Sequence, residues 1–144
     1  MLIPMPPQTA PDDPLAHALA RVGDRWSLLV ISALLDGPRR FGDLADDLGI
    51  APNILTQRLR HLESEGVVVS RPYSERPPRF SYELTASGAE LGGALRLLSD
   101  WGARHGDVDP PRHSACGTPL EVAWYCPSCE LPVDDPDVGH VHVV

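Results

Sequence analysis

Residues 41–84, FGDLADDLGIAPNILTQRLRHLESEGVVVSRPYSERPPRFSYEL, decide the fold of this chain. Apolar residues recur at helical spacing up to Gly49, and a second helix is expected from Pro52 to about Glu65. Gly66 ends that helix, and the segments VVVSRPY and RFSYELT then predict two strands around a proline-rich tip, SERPP. The stretch therefore predicts two helices followed by a β-hairpin.

Helices are expected on both sides of this stretch. Residues 15–22 form an amphipathic pattern that ends at Gly23, and residues 26–35, WSLLVISALL, are apolar on nearly every side. After the hairpin, one long helix is expected from Ala86 to about Arg104. Its broad apolar face carries Leu91, Ala94, Leu95, Leu98 and Trp101. This order is that of a winged helix-turn-helix, although α+β domains with no DNA role share it.

The charge is unevenly distributed along the 144 residues, whose formal net charge is −8. Residues 1–13 predict a flexible, proline-rich arm, and residues 14–106 carry 11 arginines against 11 acidic residues. Residues 107–144 carry seven acidic residues against one arginine, and they predict a separate acidic tail. Because the acidity lies in the tails, it does not exclude nucleic-acid binding by the middle domain. Without a signal sequence or a membrane-spanning run, the protein is expected in the cytoplasm.

The outward face of the helix that begins at Pro52 has the side chains needed to read bases. Leu55, Leu59 and Leu62 lie on one side, where they should face the core. The opposite side carries Asn53, Thr56, Gln57, Arg60 and Ser64. Asparagine and glutamine can pair with adenine, and arginine with guanine. Arg58 lies beside the apolar side, where a phosphate contact or a structural ion pair fits better. The alternative is an ordinary solvated helix face.

Basic residues surround the predicted hairpin and precede the third helix. They are Arg71, Arg76 and Arg79 near the tip, and Arg39 and Arg40 before Phe41. A stiff basic tip can contact backbone phosphates or enter a minor groove. Because basic hairpin tips also occur in proteins that do not bind DNA, these arginines alone do not distinguish a DNA contact from a basic tip without a DNA role.

A family resemblance becomes visible in several motifs that occur in order across roughly residues 13–105. They are Gly-Asp-Arg-Trp at 23–26, Gly-Pro-Arg-Arg-Phe at 37–41, Leu-Thr-Gln-Arg-Leu at 55–59, Tyr73 with Pro77-Pro78, and Leu84-Thr85 with Gly88. Together they closely resemble the HxlR-type winged-helix transcription regulators. The resemblance implies a homodimer that binds double-stranded DNA. It also implies a dimer surface formed by the first helix and the helix around Leu91–Trp101, and the wide apolar stripe of that helix independently favours such a surface.

Two positions depart from the pattern of that family. Many members carry a Cys-Pro pair before the first helix, whereas this chain has Asp13-Pro14 and no cysteine before Cys116. Thiol sensing at that position is therefore excluded. The family usually places a serine before the proline of the recognition helix, where this chain has Ala51. Loss of such a helix cap costs on the order of 1 kcal/mol.

The tail contains two pairs of metal-ligand residues. His113-x-x-Cys116 and Cys126-x-x-Cys129 are separated by nine residues that include LEVAWY, which alternates as a strand does. Two such turns joined by a short hairpin predict a small zinc-ribbon-like β module with one structural Zn²⁺ per chain, held by four protein ligands. His140 or His142 could replace His113 as the fourth ligand. The alternatives are a disordered tail with three idle thiols or a zinc that is sensed rather than structural.

The fold class predicted from these patterns is mainly α with a small β-hairpin, a long C-terminal dimerisation helix and the zinc-ribbon-like module. The leading functional hypothesis is a sequence-specific transcription regulator that binds a pseudo-palindromic operator as a homodimer. The alternative is a protein-interaction adaptor whose acidic zinc tail binds a partner. No phosphate loop, nucleophile elbow or HExxH motif is present, so no enzyme or membrane protein is predicted. The pattern specifies neither the operator nor an effector.

Overall fold

The computed structural model describes residues 13–121 and 123–133. The chain divides into two compact units, Met1–Leu95 and Arg96–Val144. The helices are α1 (Pro14–Val22), α2 (Arg25–Leu34), α3 (Phe41–Leu48), α4 (Pro52–Ser64), α5 (Ala86–Ala89) and α6 (Gly92–His105). The strands are β1 (Arg39–Arg40), β2 (Val68–Glu75), β3 (Pro78–Leu84), β4 (Trp124–Cys126) and β5 (Leu131–Val133). Across the described part of the chain, no helix is long and apolar enough to span a bilayer.

One apolar core holds the first unit together. Helices α2, α3 and α4 supply its fully buried centre, and Val67 and Val68 at the start of the hairpin close one side. The largest fully buried apolar side chains are Ile31, Leu44, Leu55, Leu59, Leu62 and Val30. The predicted burial of α2 is confirmed on one side, which carries Val30, Ile31 and Leu34. Leu29 is exposed on the other side.

The wing is a three-stranded antiparallel sheet in the order β1-β3-β2. Strand β1 was not predicted, because a segment of two residues has no alternation to reveal it. It forms by pairing Arg39 with Tyr82 and Arg40 with Ser81. The wing strands also run further than predicted, since β2 continues to Glu75 and β3 begins at Pro78. The tip between the strands is therefore shorter than the five residues expected. Because β1 ends at Arg40 and α3 begins at Phe41, α3 follows directly from a strand of the wing sheet.

The long helix predicted over residues 86–104 is wrong as a single element. It is divided into α5 and α6, and only the second part is long. A Cβ atom at Gly88 would lie 2.2 Å from the backbone oxygen of Val67, so α5 packs directly on the start of the wing. The amide of Leu91 bonds to Gly88 O instead of continuing the α-helical pattern. Gly92 and Gly93 then open α6, and glycine is a weak helix former.

Side-chain caps separate the helices into two groups. Asp13 caps α1, Asp24 caps α2 and Thr85 caps α5, each by accepting a hydrogen bond from a backbone amide. Helices α3 and α4 follow the N-cap residues Arg40 and Ala51, neither of which makes a side-chain cap hydrogen bond. Asp13, predicted as the last residue of a flexible arm, therefore belongs to the folded unit. The remainder of the predicted arm, residues 1–12, lies outside the described residues.

The second unit contains the rest of α6 and a small hairpin. Strands β4 and β5 pair antiparallel, with Trp124 opposite Val133 and Cys126 opposite Leu131. A single bridge between Arg112 and Pro119 lies earlier in the chain. The strand expected in LEVAWY is thus shorter than predicted, since β4 starts only at Trp124.

Candidate nucleic-acid interface

Helix α4 presents two faces with opposite properties. Leu55, Leu59 and Leu62 are buried, as the helical spacing predicts. The side chains of Asn53, Gln57 and Arg60 are exposed on the other side. The buried leucines fix the rotation of the helix, so its amide and guanidinium groups point toward solvent. This arrangement can enter a major groove without repacking of the core.

Thr56 differs from its predicted neighbours on this face. Its hydroxyl donates to Pro52 O at 2.9 Å, one turn earlier in the helix, and the residue is half-buried. The hydroxyl hydrogen is therefore already used within α4. Thr56 can still accept a hydrogen bond or contact a thymine methyl group, but it is less available than Gln57.

Three of the predicted DNA-binding arginines form ion pairs inside the first unit. Arg39 contacts Asp47, Arg58 lies 3.5 Å from Asp24, and Arg71 contacts Glu83. Their positive charges are partly neutralised before any DNA arrives. Arg58 thus adopts the structural role that its place beside the apolar side suggested.

The Arg58 contact also affects the cap of α2. Burial alone raises the pKa of Asp24, but hydrogen bonding from Ser27 and the charge of Arg58 together hold it below the ordinary value of 3.8. The backbone amide of Ser27 donates to Asp24 Oδ1 at 3.0 Å. The carboxylate is therefore ionised at neutral pH, where it caps α2 and lies within ion-pair distance of Arg58.

The other predicted arginines have different surroundings. Arg60, Arg76 and Arg79 are exposed and form no ion pair with any residue that the structure describes. The guanidinium carbon of Arg40 lies 4.5 Å from the centre of the Tyr73 ring, a cation–π contact that leaves its charge uncompensated. These four residues are the cations of this surface that remain free to bind an anion.

A groove of about 510 Å³ lies where α3, α4 and the wing meet. Its lining residues are Phe41, Gly42, Thr56, Tyr73, Pro78, Arg79, Phe80 and Tyr82. Tyr73 and Phe80 are exposed although both are large and aromatic. Burial and the nearby Glu63 raise the pKa of Tyr82, against the opposing effect of Arg60, so its hydroxyl stays protonated. These aromatic residues were not among the predicted site residues. Their position in the two predicted wing strands, next to the basic residues, already indicated that they could lie near the DNA.

The tail brings its predicted ligands together in two pairs. His113 Nδ1 lies 3.2 Å from Cys116 Sγ. Hydrogen bonds from Thr118 and His113 lower the pKa of the Cys116 thiol to about 7. Hydrogen bonds from Cys129 and Ser128 also lower the pKa of the Cys126 thiol. Within residues 13–121 and 123–133, no three His, Cys, Asp or Glu side chains converge on one point. The alternative ligands His140 and His142 lie outside the described residues.

Comparison with known families and structures agrees with the wing and helix order. A sequence profile described as HxlR-like helix-turn-helix matches residues 21–110. This chain belongs to the HxlR-like helix-turn-helix family. An uncharacterised HTH-type transcriptional regulator of Mycobacterium tuberculosis is 38% identical over 120 residues, which cover 80% of this chain and 76% of that protein. The regulator YtcD of Bacillus subtilis is 36% identical over 85 residues, 58% of this chain and 68% of YtcD.

Two solved structures are similar to this chain over different lengths. The transcription-factor candidate PA1607 matches with a TM-score of 0.74 at 30% identity, covering 90% of this chain and 94% of that one. Since residues 14–106 make up about two thirds of this chain, a match of that extent includes part of the tail. The redox regulator HypR, in its oxidised form, matches with a TM-score of 0.61 at 30% identity, covering 67% of this chain and 100% of HypR.

Proposed function

We propose that this HxlR-like protein is a sequence-specific transcription regulator that inserts α4 into the major groove of DNA. The proposal rests on one observation above all. Helix α4 exposes Asn53, Gln57 and Arg60 on the side opposite its buried leucines. A hydrogen-bonding face of this kind can discriminate base pairs by their edges. The relatives that are named HTH-type transcriptional regulators favour the same function.

The ion pairs divide the basic residues of this surface by role. Arg60 is placed to read guanine, while Arg76, Arg79 and Arg40 are placed to bind backbone phosphates. Arg39 and Arg71, each paired with a carboxylate, are expected to orient the wing and to contribute less to DNA affinity. The exposed rings of Tyr73 and Phe80 offer apolar contact area beside the phosphate-binding arginines.

We further propose that the regulator acts as a homodimer. Leu15 and Leu19 on α1 are exposed, and so are Leu98 and Trp101 on α6. Exposed apolar side chains at helical spacing are typical of helices that pack against a second chain. Part of the predicted stripe is not available, because Leu95 is buried in the core of its own chain. Two copies of α4 in successive major grooves would read half-sites about 10 base pairs apart.

The proposal is tested by a nuclease footprint on the DNA that flanks the gene, with wild type, Arg60→Ala and Arg96→Ala in parallel. Arg96 is an exposed arginine of α6 and serves as the matched control. We expect a protected pseudo-palindrome, a loss of about 1–3 kcal/mol in binding free energy for Arg60→Ala, and no loss for the control. Equal protection by all three proteins would show that α4 does not read the operator.

The assembly is tested separately by sedimentation. We expect a dimer for wild type and a shift toward monomer for Trp101→Asp, since a buried charge at an interface is costly. The control is Tyr125→Asp, because Tyr125 is similarly exposed but lies in the tail hairpin. A monomeric wild type, or a Trp101→Asp variant that remains dimeric, would contradict this part of the proposal.

One feature of the tail favours a second candidate function, that of an adaptor. The acidic tail exposes Trp124, Tyr125 and Leu131, side chains that are common at protein interfaces. An adaptor would use the winged helix only as a scaffold, so it would leave no footprint and show a flat dependence on salt. Steep loss of DNA affinity with rising salt, caused by release of counterions, would favour the regulator.

A further inference from the structure

The described tail contains two turns of the same design, and each carries one pair of soft metal ligands. The first runs from His113 to Cys116 and ends at Gly117, where φ is 72°. The second runs from Cys126 to Cys129 and ends at Glu130, where φ is 56°. In both turns the amide of the fifth residue donates to the carbonyl of the first, at 2.7 Å and 2.8 Å.

The second turn adopts this shape against the preference of its sequence. Glu130 is the one non-glycine residue with positive φ in the part of the chain that the structure describes. A left-handed conformation costs a residue with a Cβ atom roughly 1–2 kcal/mol. The second turn therefore has the same shape as the first, although this shape costs conformational energy at Glu130. A role that both turns share explains this better than the conformational preference of the local sequence.

Each turn directs polar hydrogens at its sulfur atoms. The backbone amide of Thr118 and the ring of His113 hydrogen-bond to Cys116. The amides of Ser128 and Cys129 hydrogen-bond to Cys126. Hydrogen-bond donors around the ligand atoms are a common feature of metal sites, where they orient the ligands.

The described part of the tail has no core of its own that would hold these turns. No residue in 96–121 or 123–133 is buried, and β4 and β5 are three residues each. A two-stranded hairpin of this size is not stable by itself in water. A bound metal that links the two turns would supply the missing stabilisation.

We propose that His113, Cys116, Cys126 and Cys129 form one tetrahedral Zn²⁺ site, with each turn contributing two ligands. Three thiolates and one imidazole are a donor set that zinc prefers in closed structural sites. The two pairs must approach each other when the metal binds, because no three of these donors converge within the described residues. The metal therefore folds the tail and takes no direct part in reading DNA.

The site is tested with the full-length chain, reduced and stripped of metal, by titration with Co²⁺ followed by displacement with Zn²⁺. We expect one metal per chain, a thiolate-to-cobalt charge-transfer band and the visible spectrum of a tetrahedral centre. The Cys126→Ser variant should lose this spectrum. Changes outside the ligand sphere already cost roughly 10- to 100-fold in metal affinity, so the loss should be about 100-fold or more.

Two further variants identify the fourth ligand. We expect His113→Ala to weaken Zn²⁺ binding by about 100-fold, while His105→Ala, a histidine of α6, serves as the matched control and binds normally. In all variants the circular-dichroism signal of the winged-helix unit should be retained, which separates loss of metal from loss of fold. Unchanged affinity in His113→Ala would refute the assigned ligand set, and less than half an equivalent bound by wild type would refute the site.

Discussion

The two compact units of this chain contain similar apolar residues but use them differently. In residues 13–95, the apolar side chains of α2, α3, α4 and the start of β2 are buried together. In the described residues after Leu95, none is buried, although Leu120, Trp124, Tyr125 and Leu131 lie close together in sequence. Burial of apolar surface contributes about 25 cal/mol per Å², so a core stabilises the first unit, whereas the described residues after Leu95 gain no such contribution. Apolar residues therefore form a core only where the elements that carry them converge.

The largest predicted effect is a difference in the free energy of unfolding between two variants, one with a leucine replaced in each unit. We expect Leu59→Ala to lower the free energy of unfolding by about 2–5 kcal/mol, because Leu59 is 1% exposed and its loss leaves a cavity. Leu131→Ala should leave the same transition unchanged within about 0.5 kcal/mol, because Leu131 is 61% exposed. Urea unfolding followed by circular dichroism measures both. Comparable losses in the two variants would mean that the tail shares the core of the first unit.

A second pair of variants tests whether α5, but not the start of α6, is closely packed. Gly88→Ala should destabilise the protein by about 1–3 kcal/mol, because the added methyl group overlaps with Val67 O. Gly93→Ala should instead stabilise it by up to about 1 kcal/mol, because Gly93 is helical and no atom lies within 4 Å of the added Cβ. Thermal unfolding of the two variants checks the sign of each change. A stable Gly88→Ala protein would contradict the close packing of α5 on the wing.

A smaller effect concerns the capped start of α2. Since the pKa of Asp24 in the fold is below its ordinary value of 3.8, its ionised form stabilises the fold at neutral pH. That contribution is lost as pH falls through 3.8 and then through the lower pKa of the folded state. Asp24→Asn keeps a capping oxygen but removes the charge, so its stability should fall less than that of wild type between pH 5 and the acid limit. Parallel curves for the two proteins in urea unfolding at each pH would disprove this.

The smallest predicted change restores a cap to α4. Ala51→Ser should stabilise the first unit by about 0.5–1 kcal/mol, because a serine oxygen can accept a hydrogen bond from a free amide in the first turn. Ala51→Val is the control, since valine offers no such oxygen and is as poor an N-cap residue as alanine. Thermal unfolding measures both, and a serine variant no more stable than wild type would show that the amides are already satisfied.

Periodicity predicted α1 to α4 and both wing strands to within a few residues, because each pattern reports which side of an element is buried. The break between α5 and α6 was not predictable in this way. Gly92 and Gly93 weaken the helix there, but the sequence pattern does not show that α5 packs through Gly88 on Val67, which lies far away in sequence. Strand β1 was missed for a related reason, since two residues become a strand only by pairing with β3.

The sequence predicts which basic residues lie near the candidate site, but not which of them form ion pairs with carboxylates of the same chain. The sequence identified the basic residues of the wing as one group. Only the fold separates Arg71, paired with Glu83, from Arg79, which forms no ion pair with the residues described. The partners are brought together by strand register, in which Arg71 pairs with Ser81, and register cannot be derived from composition.

Operator affinity measured as a function of salt distinguishes these two wing arginines. We expect the arginines without an intramolecular ion pair to bind the DNA. Arg79→Ala should weaken binding uniformly across sequences and reduce the slope of log affinity against log salt by about 1. The matched control is Arg71→Ala combined with Glu83→Ala, which removes a neutral ion pair and should leave affinity and slope close to those of wild type. Equal effects of the single and the double variant, or a larger effect of the double variant, would contradict this expectation.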